Sequence, residues 1–453
     1  MAVGKREPKQ GAFWVATQAL PKSPGHPFYE KLNAILREAK FDPWVEDLCA
    51  PFYADGVGRR SIPPGNYFRM LFAGYFEGID SQRGIAWRFK DSLSLRAFLG
   101  LLPGEDAPDH SSLTVIRQRL PVEVHEQVFA KMLEIVDAHG LLKGQTVAVD
   151  ATTLEANAAM KSIVRKDTGA DWKAYVRQLA AEAGLENPTD EELRRFDKKR
   201  KGKKVSNEDW ESPTDPDSRI TKMKDGTTHL AYKAEHVVDL DTDVVLAATV
   251  HPGDRADSES LPESLVAAQA NLIGAESESA VEDVVADTGY HKAETLAQIE
   301  GWGVRTYIPE SERKGKRRWT DKPPEWREAV YGNRRRCRGK RGKQLQRRRS
   351  ERLERSFAHV CETGGARRTW IRGLTEVAKR YLIQVAAHNL GVLMRKVFGV
   401  GTPRALQGLA ALFRQFFGLC HGLWIVLCVP WRAFSTNFTR HKDCMLPMDS
   451  LAA

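Results

Sequence analysis

The first 140 residues place apolar and polar side chains at helical spacing. Residues 62–79, IPPGNYFRMLFAGYFEGI, begin with two prolines and repeat apolar residues three to four apart, which predicts a helix starting near the prolines. Residues 81–101, SQRGIAWRFKDSLSLRAFLGL, continue this spacing with basic residues between the apolar ones. In PDHSSLTVIRQRL, Asp109 or Ser111 can cap a further helix. We therefore expect residues 28–140 to be mostly helical.

From residue 144 the pattern changes to short apolar runs that end at turns. The run TVAVDATTL predicts a strand, and residues 229–254 predict two strands joined at the Asp-rich turn 239–243. Further strands are predicted in DVVADTGYH and VRTYIP. Between and after these runs, the predicted helices are 258–273, KAETLAQIEGW and 350–397. Strands and helices in this order predict an α/β fold built on a mixed sheet.

These changes of pattern divide the chain into four predicted parts. They are an N-terminal extension (1–27), a helical domain (28–140), an α/β domain (141–397) interrupted by inserts at about 155–228 and 311–349, and a tail (398–453). The most apolar segment, 416–431, has 16 residues. A membrane-spanning helix needs about 20, so we interpret this segment as a packing helix or partner surface.

The charge and the cysteines narrow the class of protein. The formal net charge is +10, which favours a polyanionic partner. The six cysteines contain no C-x-x-C pair, which argues against a structural zinc site and suits a reducing compartment.

Two regions concentrate the positive charge. The helices predicted in 81–120 carry several arginines and fit a helix-turn-helix-like DNA-binding unit, although an ordinary helical domain with solvated charges explains them equally well. Residues 313–349 combine many Lys and Arg with Trp319, Trp326 and Tyr331, a mixture suited to phosphates and unpaired bases. The alternative for this second region is a disordered charged loop.

Two aspartates occupy equivalent places in the predicted strands. Asp150 ends the run VAVD, and Asp287 ends the run VVAD. If these strands are neighbours, both carboxylates lie at one edge of the sheet, where ligands bind in such folds. Their mutual repulsion would be relieved by a cation, and Mg²⁺ prefers oxygen ligands of this kind. The alternative is that each aspartate only caps a turn.

A third acid is expected in the Arg-rich segment 347–374, where Glu351, Glu354 and Glu362 are all candidates. Glu351 and Glu354 are three residues apart and share a face of the predicted helix. The alternative is a solvated helix with compensating ion pairs.

Five stretches in this order resemble the DDE transposases of bacterial insertion sequences, in the branch with a helical N-terminal domain and an RNase H-like core. They are GRRSIPPGNYFRMLFAGYFEGIDSQRGIAWRF, APDHSSLTVIRQRL, VAVDATTLEANAAMKS, VVADTGYH and LERSFAHVCETGGARRTWIRGLTEVAKRYLIQVAAHNLGVLMR. The resemblance implies that Asp150, Asp287 and Glu354 are the catalytic acids and hold Mg²⁺, two ions per active site, with Mn²⁺ as a substitute. Many relatives have a basic residue seven positions after the glutamate and an Arg four before it; here those positions are Cys361 and Ser350.

The resemblance also implies what the protein does. We expect a transposase that binds the terminal inverted repeats of its element, cleaves DNA by metal-dependent hydrolysis and joins the 3′ ends to target DNA. It would act as a homodimer or higher oligomer in the bacterial cytoplasm, at the nucleoid, without a membrane role. The residues expected to contact DNA are Arg83, Arg88, Arg117, Arg119, Arg334, Arg335, Arg336, Arg355, Arg367 and Arg368. Tyr290 and His291 are further candidates, because they follow Asp287.

Two other classes of protein remain open. One is another RNase H-like metal nuclease, such as a resolvase. The other is a non-enzymatic DNA-binding regulator derived from a decayed element.

Overall fold

The computed structural model describes residues 26–54, 61–102, 104–200, 206–223, 226–312 and 318–406. The chain divides into two compact units, residues 1–401 and 402–453, and the described part of the second is one short turn, Pro403–Leu406. The apolar segment 416–431 and the N-terminal residues 1–25 lie outside the described residues. No helix in the described ranges combines the length and the apolar character that crossing a membrane requires.

The N-terminal region is helical, as its apolar spacing predicts. The predicted helix at the paired prolines begins at Pro64, and Asp109 is the cap of a later helix, accepting a hydrogen bond from the Ser111 backbone at 3.0 Å. The helices are α1 (Pro27–Glu38), α2 (Phe41–Cys49), α3 (Pro64–Glu77), α4 (Gln82–Asp91), α5 (Leu93–Phe98), α6 (His110–Arg119) and α7 (Val122–Ala138).

A mixed six-stranded sheet follows, and it confirms the predicted α/β fold. Its order is β4-β5-β1-β7-β8. Strand β6 pairs with the same edge of β5 as β4 does, farther along β5. Strands β1, β4, β5 and β6 pair in antiparallel fashion, whereas β1, β7 and β8 run parallel. The strands are β1 (Thr146–Glu155), β4 (Arg219–Lys222), β5 (Thr228–Asp239), β6 (Val245–Pro252), β7 (Asp283–Val285) and β8 (Arg305–Tyr307).

Helices cover both faces of the sheet. They are α10 (Asp257–Gly274), α11 (Ala293–Gly301), α12 (Pro324–Arg338), α13 (Lys340–Phe357) and α14 (Leu374–Phe398), and a π-helical turn, Ala358–Thr363, continues α13. Helices α12 and α13 include most of the basic segment 313–349. A disordered loop is therefore wrong for its described part, which is helical from Pro324 except at Gly339.

Helix α14 connects the sheet to the N-terminal helices. It packs on β6, α3 and α7, and sixteen of its 25 residues are buried. Asn389 bridges to the sheet through both backbone groups of Val245, at 2.9 and 2.8 Å. On the other side, the Tyr75 hydroxyl lies 3.2 Å from His388 Nδ1.

The insert between β1 and β5 forms a small layer of its own. It contains helices α8 (Trp172–Glu182) and α9 (Asp190–Lys199) and a two-stranded sheet of β2 (Val164–Arg165) and β3 (Trp210–Glu211). Val176, Ala180 and Leu193 form its buried cluster.

Candidate active site

Asp150 and Asp287 lie at the same level of two neighbouring strands, but β1 continues to Glu155, so the prediction that both carboxylates lie at one edge of the sheet is wrong for Asp150. Strands β1 and β7 are parallel, with Ala148 opposite Val285, and each aspartate lies two residues beyond that pair. Asp287 leaves the sheet, because its side chain accepts a hydrogen bond from the Gly289 backbone at 2.9 Å and caps a short 3₁₀ turn. The strand predicted over 283–291 therefore ends at Val285. Both aspartates are half-exposed, so solvent and ligands can reach them.

Helix α13 contacts β1 at Asp150, and the chain just after β7, through two polar side chains. Arg349 Nη1 lies 3.2 Å from Asp150 Oδ2. Gln346 donates from Nε2 to the carbonyl oxygens of Ala286, at 3.0 Å, and Tyr307, at 2.6 Å. Arg349 Nε also donates to Gln346 Oε1 at 3.2 Å. This chain of hydrogen bonds joins Asp150 to the residue immediately before Asp287.

The last turn of α13 is anchored beside Asp150. His236 on β5 pairs directly with Asp150 across the sheet, and its ring stacks on Phe357 with centroids 4.4 Å apart. Leu353 is also buried, which agrees with the predicted packing of this helix face. Glu354 lies between these anchors in sequence, but it is exposed, and its carboxylate has no hydrogen-bond or ion-pair partner among the described residues.

His236 is a neutral structural residue. Ser356 Oγ donates to the Leu353 carbonyl, so it is available as an acceptor for His236 Nδ1 at 3.0 Å. The opposite nitrogen, Nε2, can then accept from the Tyr381 hydroxyl at 2.7 Å. Burial lowers the pKa of His236 to about 3, which keeps the ring uncharged.

The two aspartates suit a hard cation. They offer carboxylate oxygens at the same level of two neighbouring strands, and Asp150 already pairs with the positive charge of Arg349. Mg²⁺ takes one or two protein carboxylates and fills its other positions with water or phosphate oxygens. Within the described ranges, no group of three or more His, Cys, Asp or Glu side chains is close enough to hold a metal ion. Glu354, on the adjoining helix α13, is therefore not close enough to the two aspartates to form such a group.

The other two glutamates have different surroundings. Glu351 pairs with Arg355 at 2.7 Å and is 60% exposed. This partner lies one turn after Glu351 on the same helix. Glu362 lies in the π-helical turn and pairs with Arg367 at 2.8 Å.

The arginines predicted to contact DNA fall into three groups. Arg83, Arg119, Arg335 and Arg368 are exposed. Arg368 and five others have an acidic neighbour, and these pairs are Arg88–Glu77, Arg334–Glu310, Arg336–Glu300, Arg355–Asp243, Arg367–Glu362 and Arg368–Glu155. The third group is Arg117 alone.

Arg117 is buried, which does not fit a contact with DNA. It is 8% exposed, and its Nε lies 2.7 Å from Glu376 on α14. Lys379, also buried, pairs with the same carboxylate at 2.6 Å. Burial raises the pKa of Glu376, but the hydrogen bonds from Lys379 and Arg117 outweigh it and hold the pKa below its usual value. Arg117 therefore joins the N-terminal helices to α14.

Two other residues near the site are also buried. Tyr290 has no exposed surface and donates to Glu235 at 2.7 Å, so the suggested DNA contact is wrong for this residue. Cys361, at the position where relatives have a basic residue, is 1% exposed, and burial raises its pKa to about 11.

A groove of about 630 Å³ lies beside the ends of β7 and β8. Gln346 is one of its lining residues and also donates to the carbonyl before Asp287, so this side chain lies between the groove and the candidate site. Its basic lining residues are Arg334, Arg338 and Lys343, and Glu310 is acidic.

Sequence reasoning missed Gln346 and the buried pair Lys233 and Glu235. Opposite charges at alternate positions of the apolar strand HLAYKAEHVVDL point to one face of the sheet, and this pattern could have identified the pair. Gln346 had no comparable signal, because one glutamine among many arginines resembles a solvated helix surface.

Two family models match the chain. The model described as Transposase domain (DUF772) matches residues 17–119, and the model described as Transposase DDE domain matches residues 141–390. No curated protein and no solved structure matches the chain.

Proposed function

Because the chain belongs to the DDE transposase family, we propose that it binds the ends of a mobile element, cleaves DNA there and joins the freed 3′ ends to target DNA. The observation that supports this proposal is that Asp150, within β1, and Asp287, just after β7, lie at the same level of two adjacent parallel strands. Two carboxylates that close to a phosphodiester would repel it, so the arrangement suits cation-dependent chemistry.

The third acid in the proposal is Glu354. It is carried by α13, the helix that already contacts Asp150 and the residue before Asp287. Its carboxylate is exposed and unpaired within the described part of the chain, so it is available to a ligand. Glu351 is engaged with Arg355 and is the reserve candidate.

Asp150, Asp287 and Glu354 would hold Mg²⁺, two ions per active site with Mn²⁺ as a substitute, and the bound ions would supply Lewis acidity at the scissile phosphate. The protein's own contribution is to fix these carboxylates. Gln346 holds the carbonyl before Asp287, Arg349 forms an ion pair with Asp150, and His236 restrains the end of α13.

The reaction has two balanced steps. Water attacks a phosphodiester at the element's end, one P–O bond forms, one breaks, and a free 3′-hydroxyl results. That hydroxyl then attacks a target phosphodiester, forming a new P–O bond and releasing a target 3′-oxygen. No covalent bond between protein and DNA is required.

Exposed arginines would supply the affinity for DNA. Arg83 and Arg119 lie on the N-terminal helices, Arg335 lies on α12, and Arg368 stacks over Trp370 with its guanidinium carbon 5.0 Å from the ring centroid. The groove lined by Arg338 and Lys343 would hold a strand near Asp287. Arg88, Arg334, Arg336, Arg355 and Arg367 would first exchange an acidic partner for a phosphate. A homodimer or higher oligomer would pair the two ends of the element.

The test uses Asp150→Ala and Asp287→Ala in the full-length chain. Both variants should lose cleavage of DNA that carries the element's ends and should retain binding to it in a gel-shift assay. Asp254→Ala changes an exposed aspartate two residues after β6, beside Arg219; it is the control and should cleave normally. Normal cleavage by either site variant would overturn the assignment.

A strand-joining assay with pre-cut ends separates the proposal from its rivals. A transposase should join these ends to target DNA, whereas a resolvase or other nuclease should only cut. A DNA-binding regulator should do neither.

A further inference from the structure

Glu235 is a fully buried carboxylate in the central strand β5. Its Oε2 accepts a hydrogen bond from the Tyr290 hydroxyl at 2.7 Å and another from Ser260 Oγ at 2.8 Å. Burial raises the pKa of Glu235, although hydrogen bonds from Ser264, Tyr290 and Ser260 oppose the shift. A carboxylate is unfavourable in this environment unless its partners are held in place.

Lys233, two residues earlier on the same face of β5, completes a polar cluster. It is 5% exposed, and its Nζ donates to Asp257 Oδ1 at 2.7 Å, to the Arg255 carbonyl at 2.9 Å and to Ser260 Oγ at 3.2 Å. The Ser260 hydroxyl is therefore shared between Lys233 and Glu235. Opposite charges and a shared hydroxyl make the cluster a connected network.

This cluster contacts the Asp287 turn at two points. The first is Tyr290, which ends the turn capped by Asp287 and is itself fully buried. The second is Asp257: a Cβ added at Gly289 would lie 2.8 Å from Asp257 Oδ2 and 3.1 Å from Asp287 Oδ1. Gly289 in the turn is therefore packed between the Asp287 carboxylate and Asp257 of the cluster.

The cluster lies on the far side of the sheet from Asp150. His236 pairs with Asp150 and Glu235 pairs with Ala151, and successive side chains of a strand point to opposite faces. Glu235 therefore cannot share a ligand with Asp150. It reaches the site only through Tyr290 and the turn.

We propose that Glu235 is a positioning residue that fixes the Asp287 carboxylate through the buried Tyr290 hydroxyl. The inference rests on the proposed role of Asp287 as a metal ligand. Gln346 holds the carbonyl before Asp287 from one face, and the Glu235 cluster holds the end of the turn from the other. Partners that orient a ligand in this way usually change metal affinity by 10- to 100-fold when they are removed.

The test measures Mn²⁺ binding to the full-length protein without DNA, from the electron paramagnetic resonance signal of free Mn²⁺. Tyr290→Phe keeps the ring and removes only the hydroxyl, and Glu235→Gln keeps the size and removes the charge. Both should weaken Mn²⁺ binding by about tenfold. The Mn²⁺ concentration for half-maximal cleavage should rise by the same factor, with the rate at saturating Mn²⁺ little changed.

Tyr67→Phe is the matched control. Tyr67 is also a buried tyrosine whose hydroxyl meets a side chain, His125 Nε2 at 3.3 Å, but it lies on α3. It should lower thermal stability without changing Mn²⁺ affinity. If Glu235→Gln fails to fold, Ser260→Ala tests the same cluster and should weaken Mn²⁺ binding in the same direction.

The two possible failures have different signatures. Unchanged Mn²⁺ affinity in Tyr290→Phe, together with lost binding in Asp287→Ala, overturns the role of Glu235 and leaves the proposed function intact. Normal Mn²⁺ binding and normal cleavage in Asp287→Ala overturn both.

Discussion

The guanidinium of Arg349 lies 3.2 Å from the carboxylate of Asp150, which is one of the proposed metal ligands. The side chain of Arg349 is 14% exposed and that of Asp150 is 33% exposed, so screening by solvent is only partial. Arg349 thus neutralises one carboxylate of the site while its own helix carries Glu354.

This ion pair predicts how Arg349 affects metal binding. A fixed positive charge at Asp150 repels a second cation, so Arg349→Gln should bind Mn²⁺ at least about threefold more tightly than the unmodified protein. Isothermal titration without DNA measures the difference. Arg347→Gln removes the same charge from an exposed position and should have a smaller effect. Weaker binding by Arg349→Gln would mean that Arg349 mainly orients Asp150.

Glu354 and Glu351 should differ strongly when each is replaced by glutamine. Glu354→Gln should lose cleavage by orders of magnitude, because it removes one carboxylate that would hold the metal. It should keep DNA binding, because nothing else is changed. Glu351→Gln should cost little, since an exposed pair such as Glu351–Arg355 contributes only about 0–1 kcal/mol. Cleavage rates with a gel-shift control decide the ranking, and the reverse ranking would exclude Glu354 as the third acid.

Arg83 and Arg117 should respond differently to replacement, because one is exposed and the other is buried. Arg83→Gln should weaken binding to DNA ends and reduce its dependence on salt concentration by roughly one unit of logarithmic slope. Arg117→Gln should instead lower the free energy of unfolding by about 1–3 kcal/mol, because it leaves a buried network incomplete. Binding titrations at several salt concentrations and thermal unfolding measure the two effects. Equal unfolding temperatures for the two variants would contradict the structure.

Four buried histidines predict a loss of stability in mild acid: burial lowers the pKa of His388 well below its usual value, and three others behave alike. Burial lowers the pKa to about 4 for His125, about 3 for His236 and about 4 for His251. Because the unfolded chain takes up these protons near pH 6.5 and the folded chain does not, stability is complete above about pH 6.5 and falls toward pH 4. Each group contributes up to about 1.4 kcal/mol per pH unit in that window.

Unfolding midpoints between pH 7.5 and 5 test this prediction. The exposed His139 provides a control, and His139→Gln should leave the slope unchanged. A flat profile between pH 7 and 5 would contradict the neutral, buried state of the four histidines.

The elements were largely predictable from the sequence, because their signals are local. Prolines mark the start of α3, the Asp109 side chain caps α6, and short apolar runs mark β1 and β5. The placement of Asp150 and Asp287 together followed from two short runs that resemble each other. The early end of β7 did not, since it depends on a hydrogen bond from Gly289 to the Asp287 side chain.

The partners of charged residues were much less predictable. Arg117 and Arg119 are two positions apart on one helix, yet Arg117 is buried against Glu376 and Arg119 lies over the Tyr53 ring. The spacing of Leu113 and Leu120 puts Arg117 on the apolar face of α6, but its partner could not be predicted because it is 259 positions away. The same holds for Gln346, whose role depends on carbonyl groups of two distant strands.

During synthesis on the ribosome, the contact between Arg117 and Glu376 can form only after most of the chain has been made. At about 5–20 residues per second, the 259 residues between these partners take roughly 13–50 s to synthesise. During that interval α3 and α7 are complete, but α14, which covers part of their apolar surface, has not yet emerged. The nascent N-terminal half therefore exposes apolar surface that chaperones can bind. Premature termination before residue 374 would release a product that leaves this surface exposed and is prone to aggregate.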